Sequence, residues 1–199
     1  MIDERFVILA LVFNFVGLLI YLIETLKGNT KPNKISWFIW SVAPLTAFFA
    51  QLYEGVGIHS LMTFSVGFGP LLIFIASFVN KKAYWRLERF DMLAGVLAIV
   101  ALALWYITRS GNVAILFAIL ADFMAAIPTI IKSHTNPESE SYSAYLFSAI
   151  GALITIFAID IWSFEYYAFP VYIFLICVVL TCLIKFKLGY KLQTFFTAR

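Results

Sequence analysis

Phe6-Val7-Ile8-Leu9-Ala10-Leu11-Val12-Phe13-Asn14-Phe15-Val16-Gly17-Leu18-Leu19-Ile20-Tyr21-Leu22-Ile23-Glu24-Thr25-Leu26 carries no charge before Glu24. At about 1.5 Å of rise per residue, such a helix spans roughly the 30 Å hydrocarbon core of a bilayer. Six further apolar runs bounded by charges and turn residues follow, about Ser36 to Tyr53, Ile58 to Val79, Phe90 to Thr108, Val113 to Ile131, Tyr142 to Asp160, and Tyr166 to Phe186. Of the 199 residues, 63% are hydrophobic and 13% charged, against about 25% charged in a soluble domain. Mean hydropathy is +0.94. A soluble fold of this length cannot bury so much apolar surface, so an all-α polytopic protein of the bilayer is expected. Seven spans of roughly 20 residues use about 140 residues and leave short loops, so function is sought inside the membrane or at its faces.

The leader Met1-Ile2-Asp3-Glu4-Arg5 is mixed in charge and no small-residue cleavage site follows the first run, so that run is expected to stay in the mature protein. With seven spans the termini lie on opposite faces. Arg5 and Arg109 fall on the amino-terminal side; Lys27, Lys31, Lys34, Lys81, Lys82, Arg86, Arg89, Lys132, Lys185, Lys187, Lys191 and Arg199 fall on the other. Basic residues of short loops stay cytoplasmic, which predicts an amino terminus outside and a carboxyl terminus inside the cell membrane. The net charge of +3 then needs no nucleic acid to explain it, because the topology rule and an anionic inner leaflet both favour basic loops. Cys177 and Cys182 share the seventh span about 140° apart, as reduced thiols.

Two loops echo one another. Thr30-Lys31-Pro32-Asn33-Lys34-Ile35-Ser36-Trp37, then Trp40, aligns with Thr135-Asn136-Pro137-Glu138-Ser139-Glu140-Ser141-Tyr142, then Tyr145; Lys27 aligns with Lys132 at the same offset. Spans one to three and five to seven then read as two parallel three-helix repeats (1–80 and 113–199), with span four in 81–112 as the linker that restores orientation. That is a transporter plan. Span four, apolar on every face, reads as a linker and not a lining.

Ala126-Ile127-Pro128-Thr129-Ile130-Ile131-Lys132, a short polar loop, Ser141-Tyr142 and Ser148 resemble the PQ-loop pattern of the PQ-loop and SWEET superfamily. The resemblance implies a 3+1+3 membrane protein with its amino terminus outside and a central path for small solutes such as sugars or amino acids. Thr129 stands where that family has Gln, the first repeat has Ile23 and Glu24 at the pair, and spans three and seven lack the midmembrane Asn of sugar carriers. Trp37-x-x-Trp40 is also similar to the WxxW of PnuC-type nicotinamide riboside carriers.

Asp122 lies near the midplane of the fifth span, where insertion scales charge about 2.5 to 3.5 kcal/mol for an aspartate. It reads as a substrate or proton site; a protonated aspartate bonded to a neighbouring helix is the packing alternative. Asn14, Tyr21 and Glu24 share one face of span one; Asn14 is a solute contact or interhelical glue, Glu24 a solvated or Lys-paired end residue. Trp37, Trp40, Ser41 and Pro44 share a face of span two, and span six offers Ser141, Tyr145, Ser148, Ala152 and Thr155. Aromatic walls with hydroxyls suit a flat or ring-shaped solute. Trp37 reads as an interface anchor; Trp40, a turn deeper, as anchor or lining. Gly67-Phe68-Gly69-Pro70 weakens span three as a hinge or as a close-packing kink, and Pro128 frees the Met124 carbonyl. The candidate substrate-binding set is therefore Asp122, Asn14, Trp40, Tyr145 and Ser148; the candidate gating or hinge set is Pro44, Gly69, Pro70, Pro128 and Thr129.

His59 and His134 stand alone near opposite surfaces, and HExxH, GxSxG, GxxxxGK[ST] and CxxC are absent. No enzyme, cofactor or metal is therefore expected. Lys185, at the inner end of span seven, is that span's only lysine, which removes a midmembrane retinal Schiff base. The sequence is read as a transporter or facilitator of a small polar solute in the bilayer, proton-linked through Asp122, with a homo-oligomer compatible. The alternative is a heptahelical receptor or assembly scaffold.

Overall fold

The computed structural model describes residues 2–81 and 89–189. Lys82, Arg86, Lys191 and Arg199, and the parts of the linker and of the second repeat beyond those limits, lie outside the described residues. Among the described residues the chain is helical, with no strand. Helices run over Phe6–Leu26 (α1), Lys34–Tyr53 (α2), Ser60–Ala76 (α3), Arg89–Thr108 (α4), Gly111–Thr135 (α5), Tyr142–Ala158 (α6) and Phe164–Lys185 (α7). Single 3₁₀ turns at Gly57–His59 and Pro137–Ser139 lead into α3 and α6. Among the described residues five helical stretches are long and apolar enough to cross a bilayer, namely α1, α2, Gly57–Ala76, α5 and α7; α6 is apolar but shorter.

Local signals set the ends. Asn33 Oδ1 accepts from the Ile35 amide at 3.1 Å and caps α2 after Pro32. Pro44, Pro70, Pro128 and Pro170 all lie inside helices that continue through them, which neighbouring helices make tolerable in a bilayer.

Around the bundle, α3 packs on α1, α1 on α6, α6 on α7, α7 on α5, α5 on α2, and α2 back on α3. Six helices close a ring. α4 lies outside it, against α5 and more lightly α2, with Val96, Ile99 and Ile107 turned outward. The outer face of α1 exposes Phe6, Ile8, Leu9, Val12, Val16, Leu19 and Ile23, an apolar face compatible with contact to lipid. Exposed apolar outside and small or polar side chains inside make this a helical protein compatible with integral residence in a membrane.

The α1–α6 seam depends on glycine. A Cβ at Gly151 would stand 2.8 Å from the Ala10 carbonyl oxygen, and one at Gly17 would stand 2.9 Å from that of Ser143; backbone cannot step aside as a side-chain tip can. Gly151→Val is expected to cost roughly 1–3 kcal/mol by overpacking, read as a lower melting temperature in detergent. Gly95→Ala on α4, where a Cβ meets nothing within 4 Å, should leave melting unchanged or raise it. Equal melting of the two variants would refute the close approach.

The two echoing loops meet. The Lys31 amide donates to Ser139 O at 3.2 Å, and Lys132 Nζ donates to Lys31 O at 2.9 Å. At that same end Lys187 Nζ lies 2.6 Å from Glu138 Oε1 and holds its carboxyl below the usual carboxylate range. Because that value is lowered, whatever the pair adds is present above the ordinary carboxylate range and fades as pH falls through the lowered value.

Candidate functional site

Inside the ring is a cavity of about 60 Å³. At about 15 Å³ each, it holds roughly four waters. All six ring helices line it, through Asn14 and Leu18, Trp37 and Trp40, Val66 and Pro70, Asp122 and Ala126, Ala144, Tyr145 and Ser148, and Ile173, Ile176, Cys177 and Leu180. The structure thus brings Asp122, Asn14, Trp40, Tyr145 and Ser148 to one place. Of the hinge set only Pro70 lines it; Pro44, Gly69, Pro128 and Thr129 do not. At Gly67 and Gly69 the absent Cβ makes room for α2 and α1, since a Cβ there would fall 2.8 Å from Leu45 Cγ and 2.0 Å from Leu18 Cδ1.

Asp122 is 4% exposed. Its Oδ2 accepts from the Tyr172 hydroxyl at 2.6 Å, and its main-chain carbonyl accepts from Trp40 Nε1 at 3.2 Å. Oδ1 has no hydrogen-bond partner among the described residues. Tyr172 was not anticipated in the sequence, although a signal exists. α5 and α7 run the same way, and Asp122 and Tyr172 lie 10 and 13 residues before Lys132 and Lys185, so their depths agree to about a turn.

Asn14 is saturated. Its Nδ2 donates to Ser65 Oγ at 2.6 Å, its Oδ1 accepts from Ser148 Oγ at 2.7 Å, and Ser65 Oγ donates onward to Met62 O at 2.7 Å. These bonds tie α6, α1 and α3 together beside the cavity and engage both ends of the Asn14 amide.

Toward the end where the echoing loops meet, aromatic rings wall the cavity. Tyr21 and Trp37 have ring centroids 4.7 Å apart, Trp37 and Trp40 5.1 Å, and Trp40 and Tyr145 6.3 Å. Trp37 is 3% exposed, which overturns its reading as an interface anchor. Its ring packs inward against Tyr21 at a tilt of 48°, whereas Tyr142, its counterpart in the second loop, is exposed beneath Lys185 Nζ at 5.0 Å. Trp40 is likewise lining and not anchor.

Behind this layer sits Glu140, a residue the sequence did not single out. Its carboxylate is buried, ion-paired with Lys132 Nζ through Oε1, and Oε2 accepts from the Tyr21 hydroxyl at 2.6 Å. The Tyr145 hydroxyl stands 3.5 Å from the same oxygen. No local signal marks Glu140, which sits in a polar loop where carboxylates are ordinarily solvated. Glu24 accepts from Asn29 Nδ2 at 2.7 Å near the surface, as an end residue should.

Toward the opposite end of the bundle, main-chain acceptors and one carboxylate tie the helices together. Gln51 Nε2 donates to Glu165 O at 2.9 Å, the Gly111 amide donates to Glu54 Oε1, and His59 Nε2 lies 3.0 Å from Ala158 O. His59 is therefore a buried tether between α6 and the turn before α3. Cys177 and Cys182 are free thiols, with Cys177 buried in the cavity wall.

Compared with family models, curated proteins and solved structures, the chain matches none of them.

Proposed function

We propose that this chain is a membrane transporter or facilitator of a small polar solute. It works as two parallel three-helix repeats, α1–α3 and α5–α7, joined by α4 and rocking about the central cavity. One observation carries the reading: a closed six-helix ring surrounds a cavity lined by Asp122, one of whose carboxylate oxygens has no hydrogen-bond partner among the described residues. Such a group near the middle of a bilayer marks a solute or ion path by default.

The repeat is supported by the packing. Exchanging α1, α2, α3 for α5, α6, α7 maps the α1–α6 seam onto α5–α2, α1–α3 onto α5–α7, and α2–α3 onto α6–α7. Trp40 and Tyr145, aligned in the echoing loops, face one another across the cavity, as equivalent residues near a two-fold axis do. That the two loops meet at one end favours parallel over inverted repeats. These are also the features that the resemblance to the PQ-loop and SWEET superfamily implies.

Transport by alternating access requires the two ends to open in turn. The end that carries Tyr21, Trp37 and the Glu140–Lys132 pair is the cytoplasmic one under the basic-loop rule. A reporter active only in the cytoplasm should give signal when fused to Arg199 and none at the amino terminus; the reverse would overturn the orientation in the cell membrane.

A scaffold reading is favoured by Asn14 alone, whose amide is spent on helix contacts. Flux decides between the two. Purified protein in liposomes should pass at least one of a panel of labelled sugars, amino acids and water-soluble vitamins saturably. Folded protein that passes none makes the chain a scaffold.

A further inference from the structure

We propose that the end of the bundle opposite the echoing loops holds one hard divalent cation of the calcium type, between Gln51 and Glu54 at the end of α2, Asn112 of α5 and Glu165 of α7. The proposal is independent of the transport reading and lies outside the central cavity.

Two buried carbonyl oxygens carry it. Gln51 is fully buried, and its Nε2 donates to Glu165 O at 2.9 Å. Only the amino group of a carboxamide can donate to a carbonyl, so this contact fixes which way the side chain faces and leaves Oε1 inside with no hydrogen-bond partner. Asn112 repeats the arrangement: its side chain bonds the Glu165 carboxylate, which accepts, while Oδ1 is buried and unpartnered. Both amides spend their donors on one residue, and both leave an acceptor over. A buried oxygen with nothing to accept from is destabilising, so each of the two calls for an occupant.

The carboxylates supply the charge. Glu54 Oε1 accepts from the Gly111 amide and Glu165 Oε1 from the Ser163 hydroxyl at 2.6 Å, as carboxylates beside the starts of α5 and α7 should. Helix capping accounts for those two oxygens and for neither amide oxygen. Among the described residues no ion pair reaches either carboxylate: Arg5 faces Asp3, and Arg109 lies over the Tyr106 ring at 4.7 Å. Two carboxylates and two amide carbonyls are the hard oxygen ligands that calcium takes, with water completing its shell. A monovalent ion leaves one charge uncompensated, magnesium demands a regular octahedron, and zinc favours nitrogen and sulfur. Glu54 is exposed and Glu165 half-buried, so a cation reaches the buried oxygens from the solvent side. The missing HExxH and CxxC motifs do not bear on such a site, because its ligands come from three separate helices and include neither His nor Cys.

Full-length protein in detergent, first stripped with a chelator, is titrated with calcium, magnesium or potassium chloride while melting is followed. A parallel titration uses terbium, its luminescence excited through Tyr167, which packs in the cluster of Ala50 and Ala114 beside the site. Calcium is expected to raise the melting temperature saturably with an affinity of roughly 10⁻⁴ to 10⁻³ M, the range of extracellular calcium modules. Magnesium should act at least tenfold more weakly and potassium not at all. Terbium luminescence should saturate at one ion per chain and be displaced by calcium. Glu165→Gln and Gln51→Met should each weaken terbium binding at least tenfold, whereas Asp3→Asn, a carboxylate away from the site, should leave it unchanged. The calcium response of the unaltered protein tests the proposal even if the first two variants fail to fold. Equal melting in chelator and in excess calcium, an equal response to magnesium, or full terbium affinity in folded Glu165→Gln would overturn it and leave water on the two amide oxygens.

Discussion

Asp122→Asn is expected to lower solute flux in liposomes at least tenfold while leaving helical content and melting close to those of the unaltered protein. The amide oxygen still accepts from the Tyr172 hydroxyl, now 2.6 Å from Oδ2, and the backbone acceptor of Trp40 is untouched. What disappears is the titratable charge. Interhelical bonds of this kind contribute roughly 0.6 to 2 kcal/mol, so a packing role alone predicts small changes in both stability and flux. Asp122→Leu gives the contrast, because it strands the Tyr172 hydroxyl in an apolar wall at a cost of about 1–3 kcal/mol. Unchanged flux and an unchanged pH response in a stable Asp122→Asn protein would remove the functional role of this residue.

Removing the Glu140 carboxylate should have the largest effect on stability. Glu140→Ala leaves the Lys132 ammonium and the Tyr21 hydroxyl without their shared acceptor at the junction of α1, α5 and α6. Breaking a buried pair from one side costs about 3–5 kcal/mol because the other charge remains. Lys132 reaches some solvent, with its side chain 18% exposed, so the lower end, about 3 kcal/mol, is expected. Glu140→Gln should cost less, since Tyr21 keeps an acceptor. Lys132→Met combined with Glu140→Ala should recover part of the loss, and that non-additivity is the signature of the pair. Denaturant unfolding in mixed micelles measures it. Additive losses in the double variant would mean that the two side chains do not stabilise each other.

Helix placement was legible in the sequence to within about four residues at each end, the widest differences being Ile58 to Val79 against Ser60–Ala76 and Val113 to Ile131 against Gly111–Thr135. The expected first run Phe6 to Leu26 is α1, Ser36 to Tyr53 became Lys34–Tyr53, and Tyr142 to Asp160 became Tyr142–Ala158. The cause is local: in lipid every backbone amide and carbonyl must be satisfied within its own segment, so an uncharged run of bilayer length has one structure open to it. The inward turn of Asp122, Asn14, Trp40, Tyr145 and Ser148 follows from the same physics, because a polar group on the lipid side is costly.

What each of those groups touches could not be read from the chain. Tyr172 meets Asp122 through a 50-residue separation, Glu140 meets Tyr21 across 119, and Asn14 meets Ser148 across 134. Such pairs depend on the rotation and depth of one helix against another. Those are set by many small close approaches, such as Gly151 on Ala10 and Gly69 on Leu18, each indifferent to the polar pair it brings into register. Trp37 shows the consequence: its place near a span end read as an anchor, yet the packing of α1 against α6 carried Tyr21 over its ring and turned it inward. The sequence by itself determined which segments are helical, their length, and which residues are too polar to face lipid, because those are properties of one segment in its solvent. Only the tertiary structure decided that Asn14 is spent on its neighbours while Asp122 keeps an oxygen free, because hydrogen-bond saturation is a property of the assembled bundle.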